Sequence, residues 1–588
     1  MGTFRGETSR HAGNRYYELI VVLVAALIFG AGAVSPPSLM DDVDAVQAQI
    51  ARNMLDSGDW VTARLDGVAY LEKAPLKYWM MAASMAVFGV QDWAARLPLA
   101  LSTIALCWLV VRMGAWGFSP RAGFFAGLIL STCAGLWLFT RILIPDVVLT
   151  LAIALALYAF LRGWAYVFWA CLGVGFLLKG LIAMVFPVAA VLLFWFFSGE
   201  WREWRRLKPF TGILLTLVIA APWVVLATLR NPPYFDFTMH STPGEYHGFF
   251  WFFFLNEHVF RFLNMRHPRD YNTVPRAAFW LFHLLWLFPW SVWLPRAMTR
   301  PGELETSATR LRLLCFCLTG FLLAFFTFST TQEYYSMPCY PALALLLGLA
   351  LDRGDAESQW PSRVLGLLCT ILAAALFAVF IFSRGYATPG DISQALTLNP
   401  DAYTLSLGHL RDLTLPAMAY LRTPLLIAAA AFAIGASGCW WLGGVRRALA
   451  LAAMMVLFTF AARLALIGFD PYLGSRPLAE ALRRAPPGEV IFDNQYYTFS
   501  SVFFYANTRG WLLNGRVNNL EYGSYAPGAP SIFLNDDEFA GRWHGPRLHY
   551  LLLEGPAVAR IEAKVGKDSL HLVKASGGKF LFANRLLQ

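Results

Sequence analysis

Four acidic residues lie beside long apolar segments, where charges are otherwise rare. Asp41, Asp42 and Asp44 follow the first apolar run, and Asp146 opens a later one. A carboxylate can take a proton from a hydroxyl group, and an ionisable side chain at the edge of a membrane span is a candidate for function. The same residues also suit helix capping, since Asp41 and Asp42 directly precede the helical spacing of residues 44–55. The residues alone leave both interpretations open.

The elements that must position these acids are membrane spans. Of the 588 residues, 57% are hydrophobic and only 14% are charged, whereas about a quarter of the residues in a soluble protein are charged. Long apolar runs recur along most of the chain, which predicts a polytopic α-helical membrane protein. This composition excludes a disordered chain and an ordinary soluble enzyme. The net charge of +10 is attributed to basic cytoplasmic loops, so no nucleic-acid partner is expected.

Apolar runs of bilayer length predict about thirteen transmembrane helices within residues 1–470. A shorter amphipathic run, 78–90, is expected to lie at the membrane interface. Basic residues concentrate in the loops of one side, while the other side holds the long segments 35–95, 229–276 and 384–421. The positive-inside rule therefore places these segments, and everything after about residue 470, outside the cytoplasm.

The last part of the chain, residues 471–588, differs in composition from the rest. Short β-rich runs alternate there with turns marked by proline and glycine, which predicts a small α/β domain. The predicted strands are Glu489–Phe492, Tyr497–Phe504, Ser531–Leu534 and Leu548–Leu553. The eight cysteines fall in or beside apolar runs and form no CxxC pair, so they are expected to be packing residues.

The loop that follows the first span carries a recognisable set of motifs. After the acids come Gly58-Asp59-Trp60 and then the segment Tyr70–Leu76, with Glu72 and Lys73 at its centre. This loop resembles the first periplasmic loop of bacterial lipid-carrier-dependent glycosyltransferases of the GT-C fold, the aminoarabinose-transferase and protein-O-mannosyltransferase-like enzymes. Three other stretches agree with the resemblance, which covers about residues 1–470 and is strongest in 36–100: Asp92–Pro98, Glu257–Phe262 and Tyr334–Ala342.

The resemblance implies a sugar donor linked to a polyprenyl phosphate, with the phosphate as leaving group. A loop acid would then be the catalytic base, and we favour Asp42 with Asp44 close behind. Asp146 matches a second catalytic acid of the family. Lys73 matches the lysine that contacts the donor phosphate, although a lysine at the interface can also simply extend its amine to water. Arg261 is a candidate for holding phosphate or sugar hydroxyls.

Two further implications concern Tyr335 and a metal. Tyr335 is a candidate for the same phosphate or hydroxyl contacts as Arg261, although the stretch before it lacks the basic residue that the family often has there. Glu72 matches a position that binds a divalent metal in some relatives, and His258 is a candidate second ligand. A histidine in so aromatic a segment is also explained by packing.

These features predict an inverting glycosyltransferase at the periplasmic face of the cell inner membrane. Its acceptor would be a lipid A-like lipid, a glycan or a protein. One alternative is a secondary transporter or lipid-carrier flippase, but the two similar halves and interrupted mid-membrane helices typical of transporters are not evident. A second alternative is a relative without catalytic activity, whose tail binds a partner in an assembly.

Overall fold

The computed structural model describes residues 15–268, 273–299, 305–354, 359–399 and 407–587. Most of these residues are helical up to Leu473, and a smaller domain that contains a sheet follows. In chain order, the helices of the first part are α1 (Arg15–Ala33), α2 (Val43–Ser57), α3 (Leu76–Phe88), α4 (Asp92–Gly117), α5 (Pro120–Thr132), α6 (Ala134–Thr140), α7 (Asp146–Arg162), α8 (Ala165–Lys179), α9 (Ile182–Ser198), α10 (Pro209–Arg230), α11 (Trp251–Phe260, a wide π-helix), α12 (Arg276–Trp286), α13 (Trp290–Met298), α14 (Thr306–Phe328), α15 (Glu333–Arg353), α16 (Trp360–Ser383), α17 (Pro416–Trp441) and α18 (Gly444–Leu473).

Eight described helices are long and apolar enough to cross a membrane, which confirms a multi-pass membrane protein. They are α1, α4, α10, α14, α15, α16, α17 and α18. Two bent pairs raise the number to ten if each pair is a single span: α5 with α6, bent by 49°, and α12 with α13, bent by 101°.

The count of about thirteen predicted spans is not confirmed. Three of the predicted spans correspond to α7, α8 and α9, which have 17, 15 and 17 residues. At 1.5 Å per residue they are about 22–26 Å long, less than the roughly 30 Å of a bilayer core. The apolar runs do predict the helices, but hydropathy alone does not decide which of them crosses completely.

The segment between the first two long helices forms a compact unit on one face of the membrane part. Helix α2 ends at Gly58, which has the left-handed conformation that suits glycine at a helix end. A two-stranded hairpin follows, β1 (Arg64–Leu65) and β2 (Val68–Ala69), with Arg64 paired to Ala69. The predicted interfacial helix is α3. Val46, Ile50 and Met54 of α2 are buried, as their spacing predicts.

The C-terminal part is a small α/β domain, as predicted. Its sheet has the order β5-β4-β3-β6-β8-β7, parallel from β5 to β6 and antiparallel from β6 to β7. In chain order the elements are α19 (Arg476–Arg484), β3 (Glu489–Asp493), α20 (Ser500–Ala506), β4 (Trp511–Leu513), α21 (Asn518–Ser524), β5 (Phe533–Leu534), α22 (Asp536–Trp543), β6 (His549–Glu554), α23 (Val558–Val565), β7 (His571–Ser576) and β8 (Lys579–Ala583).

One predicted strand, Tyr497–Phe504, is wrong. A short 3-10 turn and helix α20 occupy this stretch. The aromatic and β-branched composition favours a strand, but Phe499, Val502 and Phe503 recur at helical spacing and are all buried. Tertiary packing of that face therefore outweighs the local β-propensity.

Asp41 ties the C-terminal domain to the first loop. Its carboxylate accepts hydrogen bonds from Lys579 Nζ (2.6 Å), Ser475 Oγ (2.5 Å) and the Ser501 N–H (2.8 Å). The predicted capping of α2 by Asp41 and Asp42 is therefore wrong. Asp41 is used by the domain contact, and the side chain of Asp42, at the capping position, makes no capping hydrogen bond.

Candidate active site

A cavity of about 840 Å³ lies where the first loop, the membrane helices and the C-terminal domain meet. Its walls come from segments that are far apart in sequence, including residues of α2, α7, α9, α11, α15 and α21. All but one of the predicted site residues line it: Asp42, Glu72, Lys73, Asp146, His258, Arg261 and Tyr335. We call this space the central cavity.

Asp42 lies in the wall of the central cavity in an unusual backbone conformation. Its φ of 71° is in the left-handed region, which is uncommon for a residue with a side chain. The C-terminal domain holds this conformation, since the Asp42 N–H donates to the Tyr497 carbonyl (2.9 Å) and Ser500 Oγ donates to the Asp42 carbonyl (3.3 Å). Backbone strain of this kind often accompanies a functional position.

Asp44 does not line the central cavity. It is 2% exposed, it accepts a hydrogen bond from the Leu143 N–H (3.0 Å), and its carboxylate lies 3.6 Å from Arg96. These contacts connect α2 to α4 and to the segment before α7. Of the two acids that the sequence leaves as candidate bases, the geometry therefore favours Asp42 and gives Asp44 a structural role.

Asp146 forms a buried ion pair with Lys179. The distance from Lys179 Nζ to the Asp146 carboxylate is 2.5 Å, and Asp146 is 2% exposed. The same ammonium group lies 4.6 Å from the centre of the Tyr335 ring, within range of a cation–π interaction. No signal in the sequence gives Lys179 this role, because a lysine at the end of an apolar helix is equally explained by its reach to water.

A network of alternating charges forms another wall of the cavity. Arg266 pairs with both Glu72 (2.9 Å) and Glu257, Lys73 pairs with Glu72 (3.0 Å), and Arg261 pairs with Glu257 (2.9 Å). Among the described residues, the three cations of this network outnumber its two carboxylates. An anionic group such as a phosphate is attracted to such a wall.

The network also fixes the charge states of its members. Burial alone would lower the pKa of Lys73, but the charges of Glu72 and Glu257 outweigh it and raise that pKa, so Lys73 stays protonated. Burial would raise the pKa of Glu257, but the Arg266 and Arg261 charges lower it to about 2. Glu257 is thus an anion that orients the arginines.

Arg261 and Tyr335 are brought together although they are 74 positions apart. Arg261 Nη2 donates to the Tyr335 hydroxyl at 2.9 Å. With Lys73 and Lys179 they form a group of hydrogen-bond donors on one side of the cavity. This arrangement suits the binding of phosphate oxygens, which accept from several donors at once.

The side of the cavity nearest the C-terminal domain is polar and mostly neutral. Tyr70, Gln495, Tyr497 and Asn518 line it, and the Tyr497 hydroxyl donates to that of Tyr70 (3.3 Å). Such phenol and amide groups hydrogen-bond well to hydroxyl groups.

Lys77 also lines the cavity, and its ammonium group is bound to Gln47 and to the Leu143 carbonyl. Burial and the charge of Lys73 lower its pKa well below the usual range. Its contacts connect α3, α2 and the segment before α7.

The geometry does not favour the metal that the resemblance implies. Both oxygens of Glu72 are engaged, by Tyr70 and Lys73 on one side and Arg266 on the other. His258 accepts from the Leu181 N–H at Nε2 (3.0 Å) and contacts the Phe253 carbonyl through Nδ1 (2.5 Å). Among the described residues no group of three or more metal-ligating side chains occurs. We therefore derive no step through a metal.

Arg266 is a member of the charge network that the sequence does not predict, and it pairs with residues of the cavity wall without lining the cavity itself. It is 4% exposed, and it reaches Glu72 across 194 positions of the chain. Its neighbourhood in the sequence carries no motif, so no local signal identifies it. Glu257 does begin the stretch Glu257–Phe262, which agrees with the family resemblance. Its pairing with Arg266 and Arg261, however, is visible only in three dimensions.

Comparison with known sequences agrees with the loop motifs. The family model of dolichyl-phosphate-mannose-protein mannosyltransferases matches residues 72–226. An undecaprenyl phosphate-α-4-amino-4-deoxy-L-arabinose arabinosyl transferase of Aeromonas hydrophila is 29% identical over 376 residues, which are 59% of this chain and 63% of the relative. A transferase of the same name from Pseudomonas fluorescens is 28% identical over 65% of this chain and 67% of its own length. The match to the Aeromonas protein thus spans less than two thirds of that protein.

Comparison with solved structures establishes the fold. The crystal structure of ArnT from Cupriavidus metallidurans bound to undecaprenyl phosphate superposes with a TM-score of 0.74 and 22% identity, covering 96% of this chain and 98% of that one. The apo structure of the same protein gives a TM-score of 0.72. The predicted resemblance and the GT-C fold are thereby confirmed.

Proposed function

We propose that this protein is an inverting glycosyltransferase that moves a sugar from a polyprenyl phosphate to an acceptor hydroxyl. The central cavity is the observation that carries the proposal. Asp42 lines the same space as the hydrogen-bond donors Lys73, Arg261, Tyr335 and Lys179. The names of the similar transferases support the chemistry of the donor.

The proposed reaction is a single displacement at the anomeric carbon. Asp42 takes the proton of the acceptor hydroxyl while its oxygen forms a bond to that carbon. The bond from the carbon to the phosphate oxygen breaks, and its electron pair stays on the phosphate. Lys73, Arg261 and Tyr335 stabilise the charge that develops there, since they are held in place before the reaction begins.

Asp146 is best explained as a positioning residue. Its carboxylate is paired with Lys179, whose ammonium group lies against the Tyr335 ring. The pair is neutral overall, so Asp146 holds the Lys179 ammonium group in place on the phosphate side of the cavity without adding net charge. The sugar hydroxyls are assigned to the neutral side, with Tyr70, Gln495 and Tyr497.

The lipid part of the donor is assigned to the apolar end of the cavity. Val185, Phe186, Phe262 and Phe325 line that end, and Phe262 is 38% exposed on the outer surface. A polyprenyl chain can thus enter sideways from the bilayer, since its transfer from lipid to an apolar wall costs little free energy.

We further propose that the cavity opens at the periplasmic face of the inner membrane. The distribution of basic residues supports this orientation. The donor and acceptor would then meet outside the cytoplasm, and the C-terminal domain would be periplasmic.

Transfer by the purified protein tests the proposal. The protein in lipid nanodiscs is mixed with undecaprenyl-phosphate sugars and with candidate acceptors, and mass spectrometry follows the products. Asp42→Asn should lower the rate by a factor of about 100 or more, because it removes the base. Asp56→Asn is the matched control, since Asp56 lies at the far end of the same helix and its side chain is 52% exposed.

Two results would contradict the proposal. Full activity of Asp42→Asn would exclude the assigned base. Movement of the lipid carrier across the membrane without any transfer would favour a flippase. Comparison of envelope lipids and glycans from cells with and without the gene would identify the sugar and the acceptor together.

A further inference from the structure

A polar pocket lies where the first loop meets the C-terminal domain, away from the proposed reaction. It has a volume of about 520 Å³, and it shares no described lining residue with the central cavity. The first loop contributes Arg52 of α2 and residues 90–92 at the start of α4, whereas the C-terminal domain contributes residues of α19 and α20. We call this space the junction pocket.

Three arginines from the two sides of the contact line the junction pocket. Arg52 belongs to the first loop, and Arg476 and Arg483 belong to α19. Among the described lining residues Asp92 is the one carboxylate, but it is 6% exposed and already accepts from the Tyr505 hydroxyl (2.9 Å). Like charges that face each other across a contact repel, and an anion placed among them removes that repulsion.

The hydrogen bonding of two of these arginines is incomplete. Arg52 Nη1 donates to the Phe504 carbonyl (2.7 Å) on the other side of the contact, but its buried Nε has no hydrogen-bond partner among the described residues. Arg483 forms neither a hydrogen bond nor an ion pair within the described part of the chain. A buried donor without an acceptor costs free energy, and the oxygens of a phosphate group can supply the missing acceptors.

The carboxylates that approach the arginines from outside the pocket are largely in water. The Asp56 carboxylate lies 3.5 Å from Arg52 Nε, and Glu480 accepts from Arg476 Nε (3.0 Å). Their side chains are 52% and 42% exposed, and neither residue lines the pocket. Exposed ion pairs contribute little free energy. These two acids therefore compete only weakly with an anion inside the pocket.

The junction pocket lies at the level of the membrane surface. Its residues Val90 and Gln91 connect α3 to α4, which is long and apolar enough to cross the bilayer. The end of α3, just before them, carries Val87 and Phe88, which are 75% and 48% exposed. Apolar side chains exposed on an interfacial helix enter the boundary between head groups and acyl chains. The lipid head groups therefore lie at the pocket.

We propose that the junction pocket binds the phosphate group of an anionic phospholipid, and that this lipid fastens the C-terminal domain to the first loop. The phosphate accepts hydrogen bonds from Arg52 and Arg483, and the acyl chains lie beside the exposed end of α3. A zwitterionic lipid fits less well, because the arginines repel its ammonium group. The bound lipid is neither donor nor acceptor of the sugar, since Arg52 is roughly 15 Å along α2 from Asp42.

Lipid binding and unfolding test the proposal without any measurement of sugar transfer. Native mass spectrometry of the full-length protein in detergent counts bound phosphatidylglycerol and phosphatidylcholine. Unfolding temperatures are measured in nanodiscs of each lipid. Wild type should bind phosphatidylglycerol more tightly and unfold at a higher temperature in it, because a ligand of the folded state stabilises that state.

Arg483→Gln is the test variant and Arg484→Gln its matched control. Both arginines are exposed at the end of α19, but only Arg483 lines the pocket. Arg483→Gln should weaken phosphatidylglycerol binding about tenfold and abolish the gain in unfolding temperature, with Arg483→Lys intermediate. Its unfolding temperature in phosphatidylcholine should equal that of the wild type, which shows that the variant folds. Arg484→Gln should behave as the wild type throughout.

Three results would overturn the proposal. Equal losses in Arg483→Gln and Arg484→Gln would show attraction to a general basic surface and not to a site. A gain in unfolding temperature with inorganic phosphate alone, as large as that with phosphatidylglycerol, would make the ligand a free anion. The same unfolding temperature in both lipids would exclude the fastening role. The proposed transferase activity stands or fails independently of all three.

Discussion

Asp42 and Asp44 lie two positions apart, yet their surroundings differ completely. Asp42 lines the central cavity, with its main chain held by the C-terminal domain. Asp44 is buried against Arg96 and the Leu143 N–H. A turn of helix sends neighbouring side chains in different directions, so proximity in sequence does not imply a shared role.

The first prediction separates these two acids. Asp44→Asn should lower the stability of the protein by about 3 kcal/mol, because it leaves a buried guanidinium without its carboxylate. Thermal unfolding in detergent measures the change. Transfer activity per folded molecule should fall much less than in Asp42→Asn. A stable but inactive Asp44→Asn protein would reverse the assignment of the two residues.

The second prediction concerns Lys179. Lys179→Met should destabilise the protein by roughly 3–5 kcal/mol, since it leaves the Asp146 carboxylate buried and unpaired. The double variant Asp146→Asn with Lys179→Met should recover part of that stability but not the affinity for the donor. Unfolding temperatures and the donor KM are the two measurements. An unchanged donor KM in the double variant would show that the Asp146–Lys179 pair does not contribute to binding of the donor phosphate.

At the level of elements, the C-terminal domain holds the first loop at several places, two of which are the start of α2 and the hairpin. Lys579 and Ser475 bind Asp41 at the start of α2, and the hairpin tip reaches the domain where Asp66 accepts from the Gly510 N–H (3.2 Å). The loop that carries the candidate base is thus braced from outside the membrane part.

The hairpin contact predicts a dependence of stability on pH. Burial raises the pKa of Asp66 from 3.8 to about 6. The folded state therefore favours the protonated form of Asp66. The free energy of unfolding that this protonation contributes is lost as the pH rises from about 4 to 6. The loss is on the order of 3 kcal/mol. Unfolding followed between pH 4 and 7 should be less pH-dependent in Asp66→Asn than in the wild type, while Asp56→Asn should keep the wild-type profile.

At the scale of the whole molecule, the fold brings three separate regions around one cavity. The helices of the membrane part supply the apolar end, the first loop supplies Asp42, Glu72 and Lys73, and the C-terminal domain supplies Gln495, Tyr497 and Asn518. A cavity of this composition can hold a lipid-linked sugar with its lipid and its polar head in matching surroundings.

The orientation of the whole molecule can be tested by labelling. Seven of the eight cysteines are buried and Cys171 is partly buried, so the background is low. Residues 568 and 205 are both exposed, and the proposed topology puts them on opposite sides of the membrane. A membrane-impermeant maleimide should therefore label Asp568→Cys in intact cells. It should label Arg205→Cys only after the membrane is opened. The reverse pattern would place the central cavity on the cytoplasmic face.

The class of the protein, most of its helices and the loop that carries Asp42 and Asp44 can be predicted from the sequence. These features depend on local hydropathy and on motifs within a few tens of residues, which the chain displays directly. Asp42, Lys73, Arg261 and Tyr335 were predicted as site residues, and all four line one cavity. The strand predicted at 497–504 was wrong because packing overrode local propensity.

The pairing of the charged side chains, in contrast, depends on the fold. Asp146 pairs with Lys179 across 33 positions, and Glu72 pairs with Arg266 across 194. Only folding makes these separations short, and the free energy of a charge depends on its burial and its neighbours, not on its place in the chain. The roles of Asp42 and Asp44 were therefore separable only once their surroundings were known.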